Sequence, residues 1–248
     1  MRQLVFCLTI LLMPFMAYTK TLTLATVEWP PFIGSTLPDD GYVTAVCKHA
    51  FERSGYEVKV VYVPWKRAVN QTIAGQYDGI IGAYNSEDRK RDIIFSDAIM
   101  KTEEVFVSRS DNHSRYQAKQ DLAGQVVGVY PGSGVISELQ QFQQGMLTDE
   151  YSGDARGLLK LNAKRLDLVL INRDRFNYLK SHHPDIRKVA SEFKETNIRF
   201  KSYTLHCGLR KSMPDAQQIM DKFNQELRGI INKHEYERLL LLPAPYDQ

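Results

Sequence analysis

The 248-residue chain has only three cysteines, Cys7, Cys47 and Cys207, too few for the disulfide scaffold of a small secreted domain. It has no basic block longer than a few residues and a formal net charge of just +3, which argues against a binder driven by neutralising nucleic-acid phosphates. Its six histidines are scattered. His182 and His183 adjoin before Pro184, but His49, His113, His206 and His234 lack ligand spacing, so neither a metal site nor a cofactor is expected. Ser133, within PGSGV, lacks the elbow pattern of a hydrolase nucleophile, and no catalytic constellation stands out. No repeat of 20–50 residues and no low-complexity tract occurs.

What is present is an ordinary globular composition, 43% hydrophobic and 25% charged. That length suits either one large α/β domain or two lobes of roughly 100 residues each. One long apolar run stands out. Met1, Arg2 and Gln3 form a short basic start, Leu4 to Met16 is almost wholly apolar, and Ala17 to Lys20 returns to small or polar residues. Residues 1–20 therefore read as a cleaved secretory signal, with an uncleaved N-terminal anchor as the alternative. The run is short for a membrane span and no second one follows, so a soluble product exported to a Gram-negative periplasm is expected. Cys7 lacks the small residues before it that a lipoprotein cleavage site needs. Cys47 and Cys207 then remain in an oxidising compartment, and a disulfide and two buried free thiols both stay open.

From Thr21 strand-like and helix-like segments alternate, the pattern of an α/β protein with mostly parallel strands. TLTLAT (21–26) predicts a strand. Val43, Val46, Cys47, Ala50 and Phe51 recur at helical spacing before Gly55, and YEVKVVYV (56–63) is β-rich. Trp65, Ala68, Val69 and Ile73 make a second helix ending at Gly75, followed by the buried strand GIIGAY (79–84). The pattern then restarts. Strands are expected at Glu104 to Ser108, Val126 to Tyr130, Asp167 to Ile171 and Tyr203 to Leu209. Helices are expected at Val135 to Gln144, Leu158 to Arg165, Arg173 to Leu179 and Pro214 to Asn232, with a short last one holding Leu239 to Leu242.

Five segments in this order resemble the extracellular solute-binding proteins of family 3, the polar-amino-acid binding proteins of ABC importers. They are TLTLATVEWPPF, GYVTAVCKHAFERSG, GQYDGIIGAYNSEDRKRDIIFSDAIM, DLAGQVVGVYPGSGV and RLDLVLINRDRFNYL, and the resemblance they carry spans nearly all of the mature chain. The resemblance implies an α/β, type II periplasmic-binding-protein fold: two lobes, each a mostly parallel sheet flanked by helices, joined by two crossing hinge strands. The crossings would fall near Met100 to Glu103 and Lys201 to Leu205. Residues 21–100 and 205–248 would form a larger, discontinuous lobe holding both Cys47 and Cys207, and 101–204 the smaller inserted lobe with its hinges.

The resemblance also places a ligand site. Arg89 stands where the family carries the arginine that grips a ligand carboxylate, a task for which a planar, permanently charged fork of donors is suited. Taken alone, its acidic and basic neighbours Glu87, Asp88, Lys90, Arg91 and Asp92 read as a solvated surface turn. Gly132, Ser133 and Gly134, between a strand and a helix, can turn backbone N–H groups toward the same anion. Ser86 holds the position of a family threonine near that carboxylate, and Gly82 and Tyr84 align with ligand-facing positions. The two tryptophans, Trp29 in WPPF and Trp65 after Pro64, align with aromatic walls of the site, the alternative being lobe core. Arg67 is either a second pocket cation or a helix-surface residue.

One departure stands against the matches: the family's acidic residue for an α-ammonium falls at Asn172, whose amide carries no compensating charge. Asp174 would substitute if the loop is shifted, and Tyr130 replaces a polar residue before the GSG loop. The expected ligand is thus a small carboxylate-bearing molecule, with amino acids one candidate. The expected role is a monomeric, non-enzymatic binding protein that closes on its solute and passes it to an inner-membrane ABC permease. The alternatives are a dehydratase-like periplasmic enzyme on the same fold and an orphan receptor for a membrane sensor.

Overall fold

A computed structural model of the chain describes residues 20–112 and 116–232. The expected signal segment and the helix expected at Leu239 to Leu242 lie outside the described residues, Lys20 excepted. Nine strands and eight helices follow one another among the described residues. They are β1 (Lys20–Thr26), α1 (Tyr42–Arg53), β2 (Tyr56–Tyr62), α2 (Trp65–Ile73), β3 (Gly79–Tyr84), the single turn α3 (Glu87–Lys90), β4 (Ile93–Phe95) and β5 (Met100–Arg109). Then come β6 (Val126–Val129), α4 (Ile136–Phe142), β7 (Leu147–Glu150), α5 (Asp154–Asn162), β8 (Leu168–Asn172), α6 (Arg173–His182), α7 (Pro184–Lys188), β9 (Phe193–Arg210) and α8 (Ala216–Asn232).

The strands form one sheet of order β2-β1-β3-β9-β5-β8-β6-β7, with β4 also on β9. Each end is a parallel trio: β1 pairs parallel with β2 and β3, and β6 pairs parallel with β7 and β8. Such trios need cover on both faces, which is why β3 and β8 are buried apolar runs rather than alternating ones. The trios are joined by β5 and β9, antiparallel to each other from Met100↔Leu205 to Arg109↔Phe193. Beyond Leu205 strand β9 passes between β3 and β4, and β5 pairs with β8 on its other side.

Helices α1 and α8 cover the first trio. Cys47 on α1 and Cys207 on β9 are free, fully buried thiols, and burial, then a hydrogen bond to Cys207, pushes the Cys47 thiol well above its ordinary range. Phe51 of α1 meets Phe223 of α8 with ring centroids 4.4 Å apart. A separate cluster of Val105, Val107, Leu158, Leu161, Val169, Phe176 and Ile186 packs α5, α6 and α7 against the other trio. None of the described helices is long and apolar enough to cross a membrane.

Most expected elements are present within a few residues, and the differences have local causes. The strand expected at Tyr203 to Leu209 is the last part of an eighteen-residue strand, because its polar first half is held by pairing with β5 rather than by its own pattern. The helix expected from Leu158 begins earlier, at Asp154, and ends at Asn162, where Lys164 takes a positive φ. Ile73, placed on the buried face of α2, is 40% exposed at that helix's last turn. Strands β4 and β7, too short to show a period, were not expected.

The Phe51–Phe223 contact joins two helices distant in sequence, so Phe223→Ala is expected to cost about 3–5 kcal/mol. Urea unfolding monitored by circular dichroism checks this; a loss below about 1 kcal/mol means the contact carries little.

Candidate functional site

Loops at the carboxyl ends of β1, β3, β6 and β8 converge on one cleft, the location at which open α/β sheets bind ligands. It encloses about 690 Å³, counting space open to solvent at the mouth. After β1, Val27, Glu28 and Trp29 form one wall, and β3 supplies Gly82 and Tyr84. Opposite them stand Val129 at the end of β6 with Tyr130 after it, Ser133 and Gly134 of the glycine loop, and Leu170 to Asn172 of β8. Trp65 and Arg89 complete the near side.

Gly82 sits at an irregularity in the β3–β9 ladder with φ +80°, and a Cβ there would lie 2.3 Å from Ile33 Cδ1. Only glycine tolerates both conditions, and the resulting bend directs Tyr84 inward. Gly132 also needs its left-handed φ of +73°, since the loop rests on α2, 3.2 Å from Lys66 Cβ to an added Cβ. The loop thereby bridges the cleft.

Arg89 is 8% exposed, which removes the solvated-turn reading of its charged surroundings. Its guanidinium donates to the Gly132 carbonyl at 2.7 Å and the Tyr84 carbonyl at 3.4 Å, and its Cζ lies 5.4 Å from the Trp65 ring centroid. Among the described residues no carboxylate is within ion-pair distance of it. Burial lowers its pKa to about 10, against the opposing effect of Asp88, so it stays charged at neutral pH.

Trp29 is half-buried, packs 4.8 Å from Phe32 and meets Tyr84 edge-on at 6.1 Å. Trp65 is both things expected of it: it lines the cleft and packs with Ala25, Ala68, Ile80 and Ile93. Ser86 is buried behind the lining, 3.4 Å from where a Cβ on Gly134 would lie, while Gly132 contributes its carbonyl to Arg89. Arg67 is exposed on α2, and Asp174 is exposed at the start of α6.

Asn172 lines the cleft but is occupied structurally. Its Oδ1 accepts from the N–H groups of Asp174 and Arg175, capping α6, and its Nδ2 donates to Thr102 Oγ1 and the Glu103 carbonyl.

Two buried carboxylates in the cleft were not expected from the sequence. Asp154, first residue of α5, binds Arg175 Nε at 3.0 Å and accepts from Tyr151 Oη at 3.4 Å, while Arg175 also donates to the Pro30 carbonyl at 2.9 Å. Burial raises the Asp154 pKa, with Arg175 opposing. Glu104 of β5 is 7% exposed, and its Oε1 accepts from Tyr84 Oη at 2.6 Å. Burial is the main cause that moves its pKa from 4.5 to about 7; Tyr84 opposes the shift and Asp154 adds to it. A period of two on β5 sets Thr102, Glu104, Phe106 and Ser108 on one buried face, which is the signal that separates Glu104 from half-buried Glu103. Among the described residues no cluster of His, Cys, Asp and Glu could hold a metal ion.

A cleft at the carboxyl ends of parallel strands, walled by aromatic rings and lined by a buried arginine, is the kind of place in which a small solute binds. Residues 22–241 match the model of the bacterial extracellular solute-binding proteins, family 3, and the chain belongs to that family. Members of this family are typically non-enzymatic binding proteins. A mutant of ArgBP from T. maritima has the same fold, with a TM-score of 0.73 and 21% identity over 89% of this chain and 93% of that one. The amino acid ABC transporter substrate-binding protein AbpA from Streptococcus pneumoniae, solved with L-arginine, gives 0.74 and 15% over 89% and 93%. An ancestral arginine-binding protein bound to glutamine gives 0.73 and 20% over 89% and 96%. These likenesses establish the type II periplasmic-binding-protein fold. No match was found among curated protein sequences.

Because the folded state binds the Glu104 proton more tightly than the unfolded chain, Glu104 works against stability as pH rises from 4.5 to about 7. The stability of Glu104→Gln relative to the native protein should therefore improve by about 3 kcal/mol between pH 4.5 and pH 8. Parallel denaturant titrations of the two proteins measure the difference; a constant gap across that range would mean Glu104 titrates normally.

Proposed function

We propose that the protein captures a small carboxylate-bearing solute, an amino acid or a related compound, and delivers it to an inner-membrane ABC permease as a monomeric periplasmic receptor. The observation that carries this reading is Arg89: a buried guanidinium facing a cleft, bonded among the described residues only to neutral carbonyls, has a charge that a bound anion would compensate. The relatives that share the fold include proteins solved with arginine and with glutamine, and the arginine-bound one is named an amino acid ABC transporter substrate-binding protein.

In this reading residues 21–100 with those from 205 onward form the larger lobe and 101–204 the smaller one. β5 and β9 are the hinge, and bending them opens or closes the cleft. The Arg89–Gly132 and Arg175–Pro30 hydrogen bonds, which span the cleft, then belong to the closed state.

A thermal-shift screen of common L-amino acids and small carboxylic acids should yield compounds that raise the melting temperature by mass action and change the fluorescence of Trp29 and Trp65. Removing one partner of a buried charge pair is costly, so Arg89→Ala should weaken each such compound by at least about 30-fold. Unchanged affinity in that variant would overturn the assignment of Arg89 as the anion anchor.

A further inference from the structure

The cleft contains a second group whose charge is not met by any of the described residues. Asp154 has Arg175 as its cation, and Glu28, at the mouth, binds the Ser35 hydroxyl and N–H. Glu104 has only the Tyr84 hydroxyl, and among the described residues no lysine, arginine or histidine pairs with it. It is as buried as Arg89, and Tyr84 links the two, since Arg89 bonds the backbone carbonyl of Tyr84 and Glu104 its hydroxyl. One uncompensated cation and one uncompensated anion thus face the same cavity, one tyrosine side chain apart.

The backbone aims Glu104 at this place. It sits at an irregularity in the β5–β9 ladder, and such irregularities re-aim side chains. It is also the register partner of Asn172 on β8, directly opposite across the antiparallel pair. Asn172 has both ends of its amide committed to protein partners, so Glu104 is the anionic group available at this position.

We infer that Glu104 receives a cationic nitrogen of the solute, so that the cleft selects dipolar ligands in which an amine accompanies the carboxylate held by Arg89. This rests on reading the cleft as a solute site anchored at Arg89. A purely anionic ligand would leave Glu104 buried without a counter-charge, whereas a dipolar one satisfies both ends and adds no net charge to a desolvated site. Glu104→Gln keeps the shape and an acceptor for Tyr84 while removing the charge.

The groups facing Glu104 are Tyr84 on β3, Tyr203 on β9, Tyr151 in the loop before α5, Asp154 at the start of α5, and Asn172 on β8. The three tyrosines have pKa values raised further above neutrality, chiefly by burial, so they do not titrate near pH 7. Glu104, with a pKa of about 7, must ionise to accept the cation, so affinity for amine-bearing ligands should rise about tenfold from pH 6 to pH 8.

Titration calorimetry with the full chain compares amino acids with analogues that lack the amine: L-leucine with 4-methylpentanoate, L-phenylalanine with 3-phenylpropanoate, and L-glutamine with 4-carbamoylbutanoate. The expected result is that at least one amino acid binds and its analogue binds at least tenfold more weakly. That gap and the pH dependence should both vanish in Glu104→Gln. If the analogues bind the native protein as tightly and Arg89→Ala abolishes both, the anion anchor stands and the cation site is wrong. If amino acids bind Arg89→Ala unchanged, the underlying reading of the cleft fails instead. Binding by none of the three amino acids, or a selectivity for amines that survives in Glu104→Gln, overturns the inference.

Discussion

The structure depends on the antiparallel pairing of β5 with β9. Each parallel trio buries its own helices and could be imagined alone, but β9 borders the first trio at β3 and β5 borders the second at β8, so their pairing fixes where one trio stands relative to the other. β9 exchanges partners along its length, from β5 in its first part to β3 and β4 in its last. Because the trios meet with their carboxyl ends facing, the loops after β1, β3, β6 and β8 are brought to one place. The irregularities of β9's ladders with β3 and β5 fall beside Gly82 and at Glu104, the points where the strands contribute to the cleft. A feature that interrupts sheet geometry here also sets the geometry of the site.

Within that frame, desolvation gives the cleft its chemistry. Arg89 and Glu104 are both depleted of water, and burial is the leading cause of the shift in each, downward for the guanidinium and upward for the carboxyl. Among the described residues neither is matched by an opposite charge, although Arg175 supplies one nearby for Asp154. The contrast separates structural charge from functional charge. Asp154 and Arg175 hold α5 and α6 to each other and reach Pro30 across the cleft, whereas Arg89 and Glu104 meet only neutral groups among the described residues, which is the basis for proposing that a ligand completes them. Tyr84, stacked on Tyr203 at 4.6 Å, is the rigid spacer between them.

Much of this was legible in the sequence where one period or one turn residue decides the outcome. Strand β3 and helix α2 lie where their apolar patterns place them, and the residues aligned with the family's ligand positions converge on the cleft or sit immediately behind it. Long β9 was not legible, because Lys194, Glu195, Arg199 and Lys201 break up the apolar pattern of Phe193, Ile198 and Phe200 in its first half, where its sheet partner is β5. The acid at position 104 was obscured by its neighbour: two consecutive glutamates read as surface charge unless the alternation of Thr102, Phe106 and Ser108 is followed through them. Asn172 was visible as a departure, but its commitment to capping α6 depends on the carbonyl of Glu103 and the hydroxyl of Thr102, which come from a distant strand.

The most direct test is a crystal structure of the full chain with a bound solute identified by screening. The account predicts density in the cleft between Trp29, Trp65 and Tyr84, with the ligand carboxylate within hydrogen-bond distance of the Arg89 guanidinium and its amine on the Glu104 carboxylate. A solute bound elsewhere, or one in this cleft that leaves Arg89 on its two carbonyls, would contradict it.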